Sequence, residues 1–282
     1  MRLRAALNRP AAGKPPFWAV LPSSLTRAYG GQKALREHRR FLADAVWAQY
    51  CLFKCVRLQD DLYDGQERDL SRVFVADQFL IEAERRFSKH FRQAGAFWEA
   101  FHNALERTTL AILDADLLQK RPGGHPRELL AAYARVNSIF TVGAAAVCIK
   151  FHRPLDLARV ATLAGEVAKA SQILDDLEDL AEDLSRERFN YAAKVLLAGK
   201  EPATIGRAIQ LIGREVTLGD GASRLLEEAR LHFGRAATIS DGLGCVEMTH
   251  YLVAAETTMD RVKVRFHRRQ VKDAFASMIL NS

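Results

Sequence analysis

The sequence predicts an all-α protein, and two observations support that prediction. Proline is absent from residues 23–121, 155–201 and 203–282, which are rich in alanine and leucine. Such tracts favour helices, because proline breaks a helix interior whereas alanine and leucine are strong helix formers. No run of alternating apolar and polar residues stands between hairpin signals, as it would in a strand. We therefore expect about eight to ten helices.

Helix ends are predicted where glycine and proline cluster. These clusters lie at 122–124, 154, 199–202, 219–221 and 242–244. The first 20 residues have no helical pattern and are expected to form an irregular basic leader. Residues 21–282 are then expected to form one domain.

Basic charge is concentrated at the N-terminus. The net charge is +7, and residues 1–36 contain seven Lys/Arg and no acidic residue, whereas residues 37–282 carry 34 charges of each sign. A simple basic leader is one interpretation, and a segment that faces a membrane surface or a phosphate is the other. The leader lacks the apolar core of a secretory signal. No nucleic-acid motif accompanies it, so no nucleic-acid partner is predicted.

The cysteines indicate a cytoplasmic protein with reduced thiols. Cys51 and Cys55 stand at helical spacing, Cys148 and Cys245 stand alone, and no CxxC or Cys/His pattern occurs. The longest apolar run, residues 140–149, is too short to span a bilayer. Association with a membrane surface stays open.

The first of two acidic clusters is Asp60-Asp61-Leu62-Tyr63-Asp64, at the end of an apolar helical stretch. Residues spaced alternately three and four apart share one face of that helix. The members of this face are Val46, Tyr50, Phe53, Arg57, Asp60 and Asp64. Its first half is aromatic and aliphatic and its end is acidic, which is typical of a pocket wall with charges at the mouth.

The second cluster, Gln172-Ile173-Leu174-Asp175-Asp176-Leu177-Glu178-Asp179, follows about 115 residues later. An apolar packing face is predicted for Leu163, Val167, Ala170, Leu174, Leu177, Ala181 and Leu184. A separate stripe on the other side consists of Gln172, Asp175, Asp179 and Asp183. Taken alone, this stripe fits a solvated acidic face as well as it fits a functional site.

The two clusters together predict a clamp for a metal ion and a diphosphate. Aspartate is a mediocre helix former, and like charges three or four residues apart repel, so two such clusters indicate a positive group between them. Mg²⁺ prefers carboxylate oxygens and bridges to substrate phosphates. The predicted ligands are Asp60, Asp61, Asp64, Asp175, Asp176, Asp179 and Asp183. Among them, Asp60, Asp61, Asp64, Asp175 and Asp179 are the predicted catalytic residues.

A third stretch, residues 133–150, places Tyr133, Asn137, Phe140 and Ala144 on one helical face, with small residues around them. Small residues allow helices to pack closely or leave room for a ligand, and close packing alone is the commoner explanation.

In these features the chain resembles the class I isoprenoid synthases, which comprise trans-prenyl diphosphate synthases, squalene/phytoene synthases and related terpene cyclases. The two acidic clusters look like the aspartate-rich motifs of the head-to-tail prenyl diphosphate synthases. Other segments are similar to the squalene/phytoene branch. These are Asp179-Leu-Ala-Glu-Asp183, the following Ser185 to Tyr191, Tyr133 with Phe140-Thr-Val-Gly143, and the N-terminal stretch from Lys14 to Pro22.

The resemblance implies a single-domain isoprenoid synthase helical bundle around a central cavity, with Mg²⁺ as cofactor and a prenyl diphosphate as substrate. The metal would neutralise the leaving diphosphate, and a dry aromatic cavity would protect the carbocation. The substrate-binding residues expected are Tyr50, Phe53, Arg57, Tyr133, Phe140, Gln172 and Arg188. Lys/Arg side chains of residues 261–272 are further candidates for the diphosphate. Peripheral membrane contact and a homodimer remain open.

Three functions are compatible with this interpretation. A prenyltransferase that couples two isoprenoid units is the leading one. A terpene cyclase that acts on one prenyl diphosphate is the alternative, because Asp175, Asp179 and Asp183 also match the i, i+4, i+8 spacing of a cyclase motif. The third is a non-enzymatic helical protein with acidic faces.

Overall fold

The computed structural model describes residues 16–65, 67–92, 95–122, 124–197, 200, 202–217 and 219–259. Every regular element in these ranges is helical, which confirms the all-α prediction. The helices are α1 (Phe17–Glu37), α2 (Arg39–Tyr63), α3 (Arg72–Ser88), α4 (Ala96–Gln119), α5 (Pro126–Val136), α6 (Val142–Lys150), α7 (Asp156–Glu178), α8 (Leu180–Ser185), α9 (Tyr191–Leu197), α10 (Ile205–Thr217), α11 (Gly221–Gly242) and α12 (246–259). A 3₁₀ turn, Asn137–Thr141, joins α5 to α6.

Twelve α-helices in the described residues exceed the eight to ten predicted, because some breaks occur without a glycine or proline cluster. One separates α1 from α2 at His38, and another separates α7 from α8 at Asp179. The expectation of an irregular leader up to residue 20 was wrong for its last four residues. Helix α1 begins at Phe17, immediately after Pro16, whose fixed φ of −64° suits the residue before a helix. Residues 1–15 lie outside the described part.

Pairs of helices build the hydrophobic core. Helix α2 packs most extensively against α3, α7 against α11, and α4 against α5. A buried pair also joins α7 to α11, where Glu166 Oε2 lies 2.7 Å from His232 Nδ1. The side chain of Lys169 donates to the other oxygen of Glu166 at 2.7 Å. The contact between Glu166 and His232 ties α7, the helix that carries the second acidic cluster, to α11.

The 3₁₀ turn interrupts what the sequence presents as one apolar helix. The buried Gln49 explains the break, because its Nε2 donates to the carbonyl of Ile139 at 3.0 Å and its Oε1 accepts the Gly143 N–H at 2.9 Å. By length and composition, Pro126–Lys150 could cross a membrane, and it is the one such stretch within the described ranges. Just over half of its most apolar window is buried inside the protein, as in an ordinary core helix.

All four cysteines are free and buried, as the sequence predicts for structural thiols. In the described part of the chain, two helices end in a left-handed residue that is not glycine, His152 (φ 54°) and Glu187 (φ 58°). Both ends are Schellman motifs: the Arg153 N–H donates to Cys148 O after α6, and the Arg188 N–H donates to Asp183 O after α8. The second of these motifs places Arg188 beside the first acidic cluster.

Candidate active site

A cavity of about 560 Å³ lies between α2, α7 and the 3₁₀ turn. Its wall is mainly apolar and aromatic, with side chains from Phe17, Trp18, Phe53, Phe140, Phe233 and Tyr251. Its polar side chains include Arg57, Asp60, Asn137, Ser171, Gln172 and Asp175. The cavity therefore brings together residues of both acidic clusters and the aromatic face that precedes the first cluster.

Phe53 is the centre of the aromatic wall. Its ring stacks on Trp18 with centroids 6.0 Å apart and lies 5.9 Å from the ring of Phe140. Phe140 also meets Phe17 edge-on at 6.4 Å. Tyr50, predicted to bind substrate, does not line this cavity; its ring packs beside Trp18 at 6.5 Å. The helical face of α2 thus reaches the cavity through its second half only.

Arginine pairs with the first acidic cluster. Arg57 lies 3.6 Å from Asp60 and 2.9 Å from Asp61, which are three and four residues further along the same helix. Burial, together with the nearby carboxylate of Asp64, raises the pKa of Asp60 to about 6 even though Arg57 opposes the shift. A carboxylate in this condition gains from any additional positive charge brought into the cavity.

Arg188 forms the second arginine contact with the first cluster. Its Nη2 donates to Asp64 at 2.8 Å and lies 3.5 Å from Asp116 on α4. Asp116 is buried and also accepts the Tyr63 hydroxyl at 2.9 Å and the Lys120 ammonium at 2.6 Å. The sequence analysis missed Asp116, although an aspartate within the apolar run of α4, four residues before a lysine, was the available signal.

The second acidic cluster does not form one straight stripe, as the sequence had suggested. Helix α7 ends at Glu178, and Asp179 adopts a non-helical ψ of 4° before α8 begins. Beyond the break Ala181 is exposed, so its predicted place on the packing face was wrong. Asp183 accepts the Asn190 side-chain amide at 2.7 Å, and burial raises its pKa.

Asp176 points into the core behind the cavity wall. It is 3% exposed, accepts the Gln172 side-chain amide at 2.8 Å and accepts the Tyr191 N–H at 2.6 Å. Burial raises its pKa to about 8, so the carboxyl holds its proton at neutral pH. Tyr133 is also buried, and its hydroxyl oxygen accepts a hydrogen bond from the Gln119 side-chain amide at 2.7 Å. Neither Asp176 nor Tyr133 lines the cavity.

The carboxylates of the cavity suit a hard cation, although the described residues assemble no site with three such ligands. Asp60 and Asp175 supply carboxylate oxygens to the same cavity. Within the described residues, no group of three or more His, Cys, Asp or Glu side chains is arranged to hold a metal ion. Arg57 and Arg188 are in contact with Asp61 and Asp64 of the first cluster. The further basic candidates at 261–272 lie outside the described residues.

No protein-family model matches this chain, and no curated protein sequence matches it.

Proposed function

We propose that this protein is a Mg²⁺-dependent isoprenoid synthase that ionises an allylic prenyl diphosphate and couples it to a second isoprenoid unit. One observation carries the proposal: an aromatic cavity whose polar end holds Asp60 and Asp175, one from each acidic cluster, with Arg57 beside them. Its volume, about 560 Å³, falls within the range of about 300–1,000 Å³ typical of small-ligand sites. The corresponding fold would be a single isoprenoid synthase bundle around this cavity.

The polar end of the cavity would receive the diphosphate. Asp60, Asp61 and Asp64 from one cluster and Asp175, Asp179 and Asp183 from the other would hold Mg²⁺, which, when bound, neutralises charge that develops on the leaving diphosphate. Arg57 and Arg188 would bind diphosphate oxygens through their planar guanidinium groups. Both arginines already lie against carboxylates of the first cluster, so each is close to the place where the anion would enter.

The apolar end of the cavity would receive the prenyl chain. Phe53, Trp18 and Phe140 form a continuous aromatic surface there. Aromatic faces attract positive charge, and an apolar wall excludes the water that would quench a carbocation. Gln172 adds one polar group whose orientation is fixed, because its amide nitrogen donates to Asp176.

A terpene cyclase that acts on one prenyl diphosphate is the second candidate. The same cavity volume favours it, since coupling requires room for two prenyl chains whereas cyclisation requires room for one. A non-enzymatic helical protein is the third candidate, in which the arginine–carboxylate contacts only stabilise the fold.

A product assay separates the three candidates. Purified protein is incubated with Mg²⁺ and labelled prenyl diphosphates of several chain lengths, singly and in pairs, and the organic extract is analysed by mass spectrometry. A product with the combined carbon count of two substrates supports coupling. A cyclic or rearranged product from one substrate supports the cyclase. Two results together would refute both the coupling and the cyclase hypotheses. The folded protein would leave the substrate unchanged in every combination, and it would bind Mg²⁺ and pyrophosphate no better than an Asp60→Asn/Asp175→Asn variant does.

A further inference from the structure

The end of the molecule opposite the acidic clusters carries a concentration of basic side chains. Residues 33–44, 89–92 and 150–156 contain eight Lys/Arg and three Asp/Glu. By contrast, the described residues as a whole hold equal numbers of the two signs. We call these three segments the basic end. The imbalance is therefore local and does not follow from the net charge of the chain.

Ring contacts hold the three segments together. His38, between α1 and α2, meets Phe151 after α6 with ring centroids 5.0 Å apart. Phe41 on α2 meets His90 after α3 at 5.2 Å, and the ammonium of Lys150 lies 5.9 Å from the Phe41 ring. The ends of α1, α3 and α6 and the starts of α2 and α7 therefore form one surface.

Much of the charge on this surface is available to a partner. Arg36, Arg39, Arg40 and Lys150 are all exposed. Lys33 is exposed as well, although its ammonium lies 3.7 Å from the Glu37 carboxylate. Within the described residues, neither Arg39 nor Arg40 takes part in an ion pair. Basic residues at helix C-termini interact favourably with the helix dipole. This interaction explains the positions of Arg36 and Lys150, and no bound partner is needed to explain them. It does not account for Arg39 and Arg40, which stand at the N-terminus of α2 where positive charge is unfavourable.

An apolar side chain projects from the same surface. Leu155 is 90% exposed, more than any other large apolar side chain among the described residues. It sits in the turn between α6 and α7, which the left-handed His152 and the Arg153 N–H bond to Cys148 O hold in place. An exposed apolar tip on a surface rich in basic side chains is suited to the boundary between lipid headgroups and acyl chains.

We propose that the basic end docks on an anionic phospholipid bilayer, with Leu155 entering the interface and Arg39 and Arg40 contacting headgroup phosphates. Lipid is favoured over nucleic acid because a protruding leucine gains nothing from a phosphate backbone. Asp60 lies 20 residues beyond Arg40 on the same helix, about 30 Å away at 1.5 Å per residue. A docked molecule would therefore hold its acidic end away from the bilayer, in water.

Vesicle flotation with the full-length chain tests this inference independently of any enzymatic activity. The probes are phosphatidylcholine vesicles with and without about one-third phosphatidylglycerol, since only anionic lipid attracts basic segments. The protein should float with the anionic vesicles and remain with the buffer in their absence. Raising the salt concentration from about 0.1 M to 0.5 M should release it, because screening shortens the reach of each charge.

Variants place the binding on the basic end. Arg39→Gln/Arg40→Gln should weaken partitioning roughly 25-fold, since each basic side chain near an anionic surface contributes about fivefold. Leu155→Ser should weaken it about tenfold by removing a buried leucine. The matched controls are Arg207→Gln/Arg214→Gln, two exposed arginines of α10, and Leu70→Ser, a 75% exposed leucine near the acidic end. Both controls should bind like the wild type.

Three results would overturn the proposal. The first is equal binding to neutral and anionic vesicles. The second is unchanged binding by the Arg39→Gln/Arg40→Gln variant, which would assign the attraction to basic residues elsewhere, such as those in 1–15 and 260–282. The third is full displacement from anionic vesicles by single-stranded RNA together with no effect of Leu155→Ser, which would indicate a general polyanion site.

Discussion

Replacing Asp176 with asparagine tests whether this residue is a buried neutral acid or a metal ligand. Asparagine keeps the shape of the protonated carboxyl and carries no charge. The Asp176 carboxyl is 3% exposed and accepts hydrogen bonds from Gln172 and the Tyr191 N–H. The asparagine oxygen can still accept the Tyr191 N–H, and a 180° flip of the Gln172 amide lets the Gln172 oxygen accept a hydrogen bond from the asparagine nitrogen, so we expect Asp176→Asn to fold.

The effect on stability depends on pH with a definite sign. Burial raises the pKa of Asp176 from 3.8 to about 8 in the folded protein. As the pH rises above about 4, the unfolded chain loses this proton while the folded chain keeps it, so the wild type loses stability up to about pH 8. The slope is about 1.4 kcal/mol per pH unit. Between pH 5 and pH 7 the wild type should lose about 2–3 kcal/mol relative to Asp176→Asn.

Urea denaturation at pH 5, 6 and 7, in buffer with EDTA, measures this difference. Other titrating groups are common to both proteins and cancel when their free energies of unfolding are subtracted. If the difference in free energy of unfolding between the two proteins stays constant from pH 5 to pH 7, the folded protein holds Asp176 ionised. The argument that burial keeps this carboxyl protonated would then fail. Added Mg²⁺ should stabilise both proteins equally, because Asp176 does not line the cavity; stabilisation of the wild type alone would make it a ligand.

Four further predictions concern the cavity, the core and one helix end. Phe53→Ala should enlarge the apolar end of the cavity and shift the products, measured by mass spectrometry, towards longer chains. Because the ring is half-buried, the free energy of unfolding should fall by about 1–2 kcal/mol. Asp60→Asn should lower Mg²⁺-dependent turnover about 100-fold or more while leaving the melting temperature within a few degrees. Although burial opposes the shift, hydrogen bonds from His232 and a neighbouring lysine lower the pKa of Glu166 to about 2. As the pH falls from 5 to 2, the wild type should therefore lose about 3 kcal/mol in its free energy of unfolding relative to Glu166→Gln. His152→Gly should raise the free energy of unfolding by about 0.5–1 kcal/mol, because glycine adopts φ 54° without strain.

Each of these predictions has a matched control or a contradicting result. Asp114→Asn removes a 54% exposed carboxylate on α4 and should leave turnover unchanged, unlike Asp60→Asn. An unaltered product profile in a destabilised Phe53→Ala protein would assign Phe53 to core packing. A Glu166→Gln protein that loses stability in acid as steeply as the wild type, or a His152→Gly protein that melts earlier, would contradict the physical account given for that residue.

The sequence by itself determined the helical class and the faces of the long helices. Proline-free, alanine- and leucine-rich tracts predict helices because these preferences act within a few residues. The spacing of Phe53, Arg57 and Asp60 places them on one helical face for the same local reason, and all three line the cavity. Gln172 and Asp175 follow this rule on α7.

Only the tertiary structure decided which helices face one another and which acids are buried. Asp175 and Asp176 are neighbours in the chain, yet one lines the cavity and the other lies in the core, because α9 covers one side of α7 only. Asp116 joins the first cluster through Arg188, a contact between residues 72 positions apart. Periodicity describes the direction of a side chain from its own helix axis, whereas burial and ion pairing depend on the helix that packs against it.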